Sequence, residues 1–266
     1  VKGKPDIKPL FNHFLLQHFG VQRPARLVDI AAVWSGVPNR HIGPKLFKQL
    51  RCNRRCRTMS TIEPNSERDW RIITCSREDT PPECGRDSNW TLHIPTDLAD
   101  VKSIENFVAN VKSELGDEPL HGLVNNAGMS PKTPYKERLG CLNGDLDAWH
   151  DVFELNFFAP LRLSRGFAKA LHRGKGAVVN VTSIAGHAIH PFAGSAYSIS
   201  KTALSGLTRE MANEFAELGV RVNAVAPGEI ETDMLQPEYD MLIPRIPMGH
   251  MGSPMAVSYT HLTLPT

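Results

Sequence analysis

The chain has 266 residues, of which 41% are hydrophobic and 22% charged, and a net charge of +2. Those totals suit a soluble globular protein with a sizeable core. They exclude a membrane-spanning reading, because no apolar run approaches ~20 residues, and the N-terminus lacks the apolar stretch and cleavage site of a secretory signal. Five cysteines without regular spacing argue against a disulfide framework and suit a reducing cytosol, so a cytoplasmic location is expected.

The small net charge hides a split. Residues 1–66 hold 12 Lys/Arg against 3 Asp/Glu, a balance of +9, while the remainder carries −7. Such a split marks either a nucleic-acid-binding arm on an acidic body or two stretches of different origin. The patterning favours the second. Leu10 to Phe19 is apolar without a clean period, and LVDIAAVW within residues 26–34 is a candidate strand. Gly36 and Gly43 stand too far apart for a dinucleotide-binding loop, which needs closely spaced glycines so that backbone N–H groups reach a pyrophosphate. Cys52 and Cys56 have no further ligands at zinc spacing, so no metal is expected.

Regular patterning begins near Trp70. Arg71 to Cys75 reads as a buried strand ending at Ser76-Arg77, and Thr91 to Pro95 as a second, ending at Thr96-Asp97-Leu98. Asp100 caps a helix whose apolar residues Val101, Ile104, Val108, Val111 and Leu115 recur at helical spacing. Leu120 to Val124 is a third strand, ending in Asn125-Asn126-Ala127-Gly128. One long helix is expected over residues 146–171, and a fourth strand over Gly176 to Val181, leading into Ser183. A helix carrying Tyr197 and Lys201 runs to about Leu218, and Val220 to Ala226 is a fifth strand ending at Pro227-Gly228. Short Val/Ile-rich strands alternating with helices imply an α/β fold: a doubly wound parallel sheet in a three-layer α/β/α arrangement. Ligands in such folds bind beyond the carboxyl ends of the strands.

Tyr197 and Lys201 stand four residues apart and so share a helix face. A phenol normally titrates near ~10, and a neighbouring ammonium favours its anion. A tyrosine so placed can act as a general acid or base, with Ser183 bonding the same substrate oxygen. His187 and His190 read as solvated or packed loop residues, and Glu229 and Glu231 as solvated. Met129, Ser130 and Phe192 are pocket walls by position only.

Four features occur together: Asn-Asn-Ala-Gly after a strand, Asn156 in the following helix, Ser183 ahead of Y-x-x-x-K, and PG-x-I-x-T from Pro227 to Thr232. In this combination residues 60–253 resemble the short-chain dehydrogenase/reductase family. The resemblance implies a Rossmann-like domain over 59–256 and interconversion of a secondary alcohol and a ketone, in the manner of 3-oxoacyl reductases or sugar dehydrogenases. It implies that Tyr197 transfers the proton, that Lys201 tunes it and bonds the nicotinamide ribose, and that Ser183 polarises the substrate oxygen. Asn156 would hold a water linking Lys201 to solvent. Asn125, Ala127 and Gly128 would line the cofactor ribose, Asp97 and Leu98 the adenine. Pro227, Gly228, Ile230 and Thr232 would cradle the nicotinamide. Ser76 and Arg77 end the second strand where an NAD-specific acid is expected; a guanidinium suits a 2′-phosphate, so NADP is preferred and NAD is the alternative. The implied partners are a small alcohol or ketone and further copies of the chain, as a homodimer or homotetramer, with no nucleic acid or membrane.

Two stretches depart from the family pattern. The first strand and its T-G-x-x-x-G-x-G loop are absent ahead of Trp70. Read one base downstream, codons for Cys52 to Arg57 permit Val-Thr-Gly-Ala-Ala-Gly, so residues 1–58 are expected to be a non-native or disordered basic segment produced by a frame error. At the other end, SYTHLTLPT resembles translated adapter sequence, so residues 257–266 are read as a non-native tail and the last strand as missing. The alternative function is a non-catalytic relative, or inactive fragment, whose basic arm binds nucleic acid or a partner. Ser183, Tyr197, Lys201 and Asn156 together speak against it, since a binding module has no need of all four.

Overall fold

The computed structural model describes residues 31–35, 71–77, 90–135, 137–231 and 237–253. Six strands are formed: β1 (Ala31–Ser35), β2 (Arg71–Ser76), β3 (Trp90–Pro95), β4 (Gly122–Asn125), β5 (Ala177–Val181) and β6 (Arg221–Val225). They make one sheet in the order β3-β2-β1-β4-β5-β6. The pairs β2–β3, β4–β5 and β5–β6 are parallel, as the alternation of strands and helices predicts.

The centre of the sheet departs from that pattern. The expected parallel first strand is missing, yet its slot is filled: β1 lies between β2 and β4 and runs antiparallel to both, with Val33 opposite Ile73 and Leu123. Without it, β2 and β4 would each present a bare edge of N–H and C=O groups. A short strand satisfies both ladders in either direction, because antiparallel pairing is at least as stable as parallel. One stretch of the basic N-terminal segment is therefore part of the sheet. The remaining residues of 1–58, the tail from 257 and the position of any last strand lie outside the described residues.

The helices are α1 (Val101–Leu115), α2 (Leu146–Phe153), α3 (Ala159–Gly174) and α4 (Ser195–Ala216). Asp100 caps α1 as predicted, its carboxylate accepting the Ser103 N–H at 2.8 Å. The single helix expected over 146–171 is interrupted by a π turn, Glu154–Phe158, between α2 and α3. Pro160 supplies the reason. It has no N–H for the carbonyl of Asn156 four residues back, so the regular ladder fails there. Crossovers β3–α1–β4, β4–α3–β5 and β5–α4–β6 all progress the same way across the sheet, and right-handed connections put their helices on one face. Accordingly α1 packs against α3, and α2 and the π turn pack against α4. A helical layer on the opposite face, which the doubly wound reading expects, lies outside the described residues.

The core fills the space between this helical layer and the sheet. Ile73, Leu123 and Val178 are fully buried beneath Phe107 of α1 and Phe167 of α3, whose rings meet edge to face at 6.1 Å. Each such side chain contributes about 1.5–3 kcal/mol by leaving water. A polar chain also crosses the core: Asn125 Nδ2 donates to Asn180 Oδ1 at 2.8 Å, and Asn180 Nδ2 donates to Thr208 Oγ1 at 2.9 Å. It ties β4, β5 and α4 together in one register, since each group would be costly to bury unpaired.

Candidate active site

The site lies beyond the carboxyl ends of β4, β5 and β6. After β5 the chain makes a short 3-10 turn, Ile184–Gly186, capped by Ser183 Oγ, which accepts the Ala185 N–H at 3.1 Å. Helix α4 then begins at Ser195. Its first turns approach the 139 region closely enough that a Cβ on Gly194 would stand 3.0 Å from the Leu139 carbonyl. This seating presents Tyr197 to Ser183.

Tyr197 and Ser183 share a side-chain hydrogen bond, which favours the phenolate. Burial is the stronger influence and pushes the Tyr197 phenol up, and the nearby Glu229 carboxylate pushes it further the same way. The expected lowering by Lys201 is not realised in this arrangement. Lys201 is 3% exposed, its Nζ donates to the Val181 carbonyl at 2.7 Å, and it stands 5.8 Å from the Tyr197 ring centroid. Burial brings Lys201 down to about 8. The phenol is thus held as an acid, with a cation one turn away to receive the charge it leaves.

Asn156 is fully buried in the π turn. Its Oδ1 accepts the Met129 N–H at 2.9 Å, and its Nδ2 donates to the Met129 carbonyl and to Ser200 Oγ, both at 3.0 Å. The side chain therefore latches the loop after β4 onto α4. Gly128 sits between these groups: a Cβ there would stand 3.2 Å from Lys201 Nζ and 3.3 Å from Asn156 Oδ1. Only glycine leaves that cradle open.

The other expected cofactor residues are placed unevenly. Asn125 turns its amide inward to Asn180 and Ser164, and its buried Oδ1 has no partner among the described residues. Ala127 is buried beside Gly128 in the same turn. Leu98 is 4% exposed and belongs to the core, whereas Asp97 is exposed and bonds the Ala99 N–H at 2.9 Å. Ser76 is buried with its hydroxyl 3.3 Å from His93 Nε2, and Arg77 is exposed at the end of β2. The Pro227 carbonyl accepts the Ile184 N–H at 3.0 Å, which ties the loops after β5 and β6 together, with Gly228 exposed beside Ile184. Ile230 pairs with Gly252 in a parallel bridge. Thr232 lies outside the described residues.

The expectation for Glu229 is corrected, and His190 takes the packed one of its two expected states. Glu229 is not solvated: its side chain is 10% exposed and lies 2.6 Å from His190 Nε2, which is equally buried. Sequence reasoning also missed Ser200, Tyr239 and Lys132. Ser200 stood in plain view at one turn from Tyr197; nothing in local spacing pointed to the other two.

For a nicotinamide cofactor the residues fit on one side. The cradle over Gly128, which a Cβ would crowd against Lys201 Nζ and Asn156 Oδ1, leaves the close backbone approach that a ribose would need. On the pyrophosphate side the geometry differs. Because β1 is reversed, Ala31 faces Cys75 and Asn125 at the carboxyl ends of the parallel strands, while Ser35 faces Arg71 at the far edge. The chain leaving β1 starts away from the site, and no phosphate-binding glycine loop is present among the described residues.

The family model for short chain dehydrogenases matches residues 63–242, and the chain belongs to that family of NAD(P)-dependent oxidoreductases. Over 205 residues it is 47% identical to Protein FixR of Bradyrhizobium diazoefficiens, covering 75% of this chain and 72% of the relative. It is 35% identical to galactitol 2-dehydrogenase (L-tagatose-forming) of Cereibacter sphaeroides, covering 63% of this chain and 66% of that protein. Identity to the 3-oxoacyl-[acyl-carrier-protein] reductase FabG of Salmonella typhimurium is 32%, covering 60% of this chain and 64% of the enzyme. Among solved structures, a Brucella ovis short chain dehydrogenase/reductase in complex with a partially ordered NAD is 48% identical with a TM-score of 0.56, covering 59% of this chain and 71% of that one. A Burkholderia cenocepacia short chain dehydrogenase in complex with NADP is 27% identical with a TM-score of 0.57, covering 64% of this chain and 66% of that one.

Proposed function

We propose that the chain interconverts a secondary alcohol and its ketone with NADP as the preferred cofactor. The observation that carries this reading is the Ser183–Tyr197 hydrogen bond with Lys201 buried one turn away, all at the carboxyl ends of β5 and β6. The cofactor, when bound, supplies or accepts the hydride. In reduction Ser183 Oγ donates to the carbonyl oxygen, and Tyr197 Oη gives its proton to that oxygen as charge develops there. Lys201 stabilises the phenolate left behind. Asn156 sets the position of Met129 and Ser200, which brackets the base of the pocket, and its carbonyl, denied a donor by Pro160, is a candidate station for the water that returns the proton. In oxidation the same groups run in reverse.

Preference for NADP rests on Arg77 at the end of β2, whose guanidinium matches a 2′-phosphate; Glu78 and Asp79, which follow it, oppose that preference if they face the phosphate. Self-association through α2, α3 and α4 as a homodimer or homotetramer is part of the same reading, and light scattering tests it. We further infer that residues 59–256 form the catalytic domain and that 1–58 and 257–266 are of foreign origin, residues 31–35 nonetheless completing its sheet; the family match over 63–242 supports that division.

The test is a fluorescence titration with NADPH of this chain beside a version carrying Val-Thr-Gly-Ala-Ala-Gly at positions 52–57, followed by turnover of both with a panel of ketones. Tight binding and turnover by the repaired chain supports the reading. Equal tight binding by both overturns the inference about residues 1–58, and absence of turnover in both overturns the oxidoreductase function.

A further inference from the structure

A second buried polar constellation stands beside Tyr197, built from three segments far apart in the chain. His190 comes from the connection between β5 and α4, Glu229 from the loop after β6, and Tyr239 from the 3-10 segment Pro237–Arg245. His190 Nδ1 accepts the N–H groups of Phe192 at 3.2 Å and Ala193 at 2.9 Å. A ring nitrogen that accepts two N–H groups carries no proton, so the hydrogen is on Nε2 and is donated to Glu229 Oε1 at 2.6 Å. Among the described residues His190 is the only hydrogen-bond partner of that carboxylate, which has room for about four.

Aromatic faces border the carboxylate. The Tyr239 ring lies 5.8 Å from the His190 ring and 5.0 Å from that of Phe192. Lys132 pins this wall, donating to the Phe192 carbonyl at 3.0 Å while its Nζ stands 5.8 Å from the Tyr239 ring centroid. Burial, then Glu229, then Tyr197 push Tyr239 up to about 12, so it remains a phenol. Glu229 follows the Pro227-Gly228 loop, whose Pro227 carbonyl binds the Ile184 N–H beside Ser183 at 3.0 Å, so a half-closed carboxylate with unfilled acceptor sites stands on the Ser183 side of the site and suits a ligand that brings hydrogen-bond donors. A saturated acyl chain brings none and would bury the charge uncompensated. A hydroxyl on the carbon beside the reacting one supplies the donor within reach, and its C–H groups suit the faces of Tyr239 and Phe192.

We propose that Glu229, oriented by His190, is the specificity-determining residue of this site and accepts a hydroxyl hydrogen from the carbon adjacent to the reacting carbon, so that the substrate is a vicinal diol or the corresponding α-hydroxyketone. This deepens the alcohol–ketone reading and rests on it.

The test compares two ketones that differ only in that hydroxyl, acetoin and butanone, on the full-length frame-repaired chain, wild type at position 229, and on its Glu229→Leu and Glu229→Gln variants. One readout is the ratio of the two kcat/KM values with NADPH. The other is the thermal shift each ketone produces without cofactor. In the wild type acetoin is favoured by at least about 100-fold, and it raises the melting temperature where butanone does not. In Glu229→Leu the ratio falls to near about one and the acetoin shift disappears; Glu229→Gln, which keeps shape and an acceptor oxygen, falls part way. If Glu229→Leu fails to fold, the Gln variant decides, since an unchanged ratio and shift there overturn the proposal. A wild type that reduces both ketones equally overturns the proposal and leaves the oxidoreductase reading standing. A wild type that binds NADPH yet reduces neither ketone nor any other in the panel overturns the oxidoreductase reading; the thermal shift then decides about Glu229 alone, and its absence, or its persistence in the variants, overturns the proposal.

Discussion

The two sides of the sheet are built to different standards. On the β4–β5–β6 side every strand is parallel, and buried polar groups close on one another: Asn156 on Met129 and Ser200, Asn125 on Asn180, Lys201 on Val181. On the β2–β3 side the neighbour at the switch point is a reversed strand, whose carboxyl end at Ser35 lies beside Arg71 rather than beside Asn125. The difference teaches that the proton-handling half of this fold is self-contained. It depends on α3 and α4 seating on β4 to β6, and the direction of one central strand does not disturb it. The phosphate-gripping half depends on that direction entirely.

Four substitutions sharpen or break this contrast. The largest effect is expected from Tyr197→Phe, which removes the proposed proton donor without altering packing; kcat should fall by about 10²–10⁴-fold in the frame-repaired chain. A smaller fall would mean that another group, Tyr239 being the nearest phenol, supplies the proton.

Next is Asn156→Ala, which strips three hydrogen bonds from a fully buried position and leaves the Met129 N–H and carbonyl unpaired. A loss of about 3 kcal/mol in urea unfolding is expected. A loss below about 1 kcal/mol would show that the latch is not what holds the loop after β4.

Lys201→Met probes the cost of the buried cation. The folded value of about 8 lies below the ordinary lysine value of 10.5, so between those values the unfolded chain binds more protons and stability rises with pH. Near pH ~7 the full penalty, about 3 kcal/mol, applies, offset by about 1 kcal/mol from the bond to Val181. The variant should therefore be more stable by about 2 kcal/mol at neutral pH, and its advantage should shrink as pH rises past about 8. An advantage independent of pH would break the account.

Arg77→Ala tests the weaker half and carries the smallest effect. It should reduce the preference for NADPH over NADH by about tenfold in the frame-repaired chain, as loss of one charge-assisted contact predicts. An unchanged ratio would move the origin of cofactor choice elsewhere.

Much of the proton-handling side was legible from residues alone. Tyr197 and Lys201 are one turn apart on a helix whose apolar residues mark its buried face, and strand ends follow from where Val/Ile runs give way to Asn, Ser and Gly. Asp100 as a cap needed only its place before a periodic run. The π turn had a local signal, Pro160, that went unread because the apolar period continues through it. The burial of Glu229 against His190 went unread for a different reason. They are 39 residues apart, and neither one's neighbours give any sign that the other's polar end will meet it in a buried space. The inward turn of Asn125 and Ser76 likewise depends on partners from other strands.

What the amino-acid order determined by itself is therefore the set of elements, their ends, and the chemistry carried one turn apart, because backbone periodicity and capping act over a few bonds. Only the tertiary structure decided the rest: the reversed sense of β1, the latch of Asn156 on Met129, the inward turn of the cofactor-edge side chains, and the Glu229–His190 pair. An apolar pentapeptide satisfies its neighbours' hydrogen bonds in either direction, and a buried carboxylate has no partner until folding brings one. Those outcomes are set by which groups must be covered or paired once the sheet closes, and no local pattern records that.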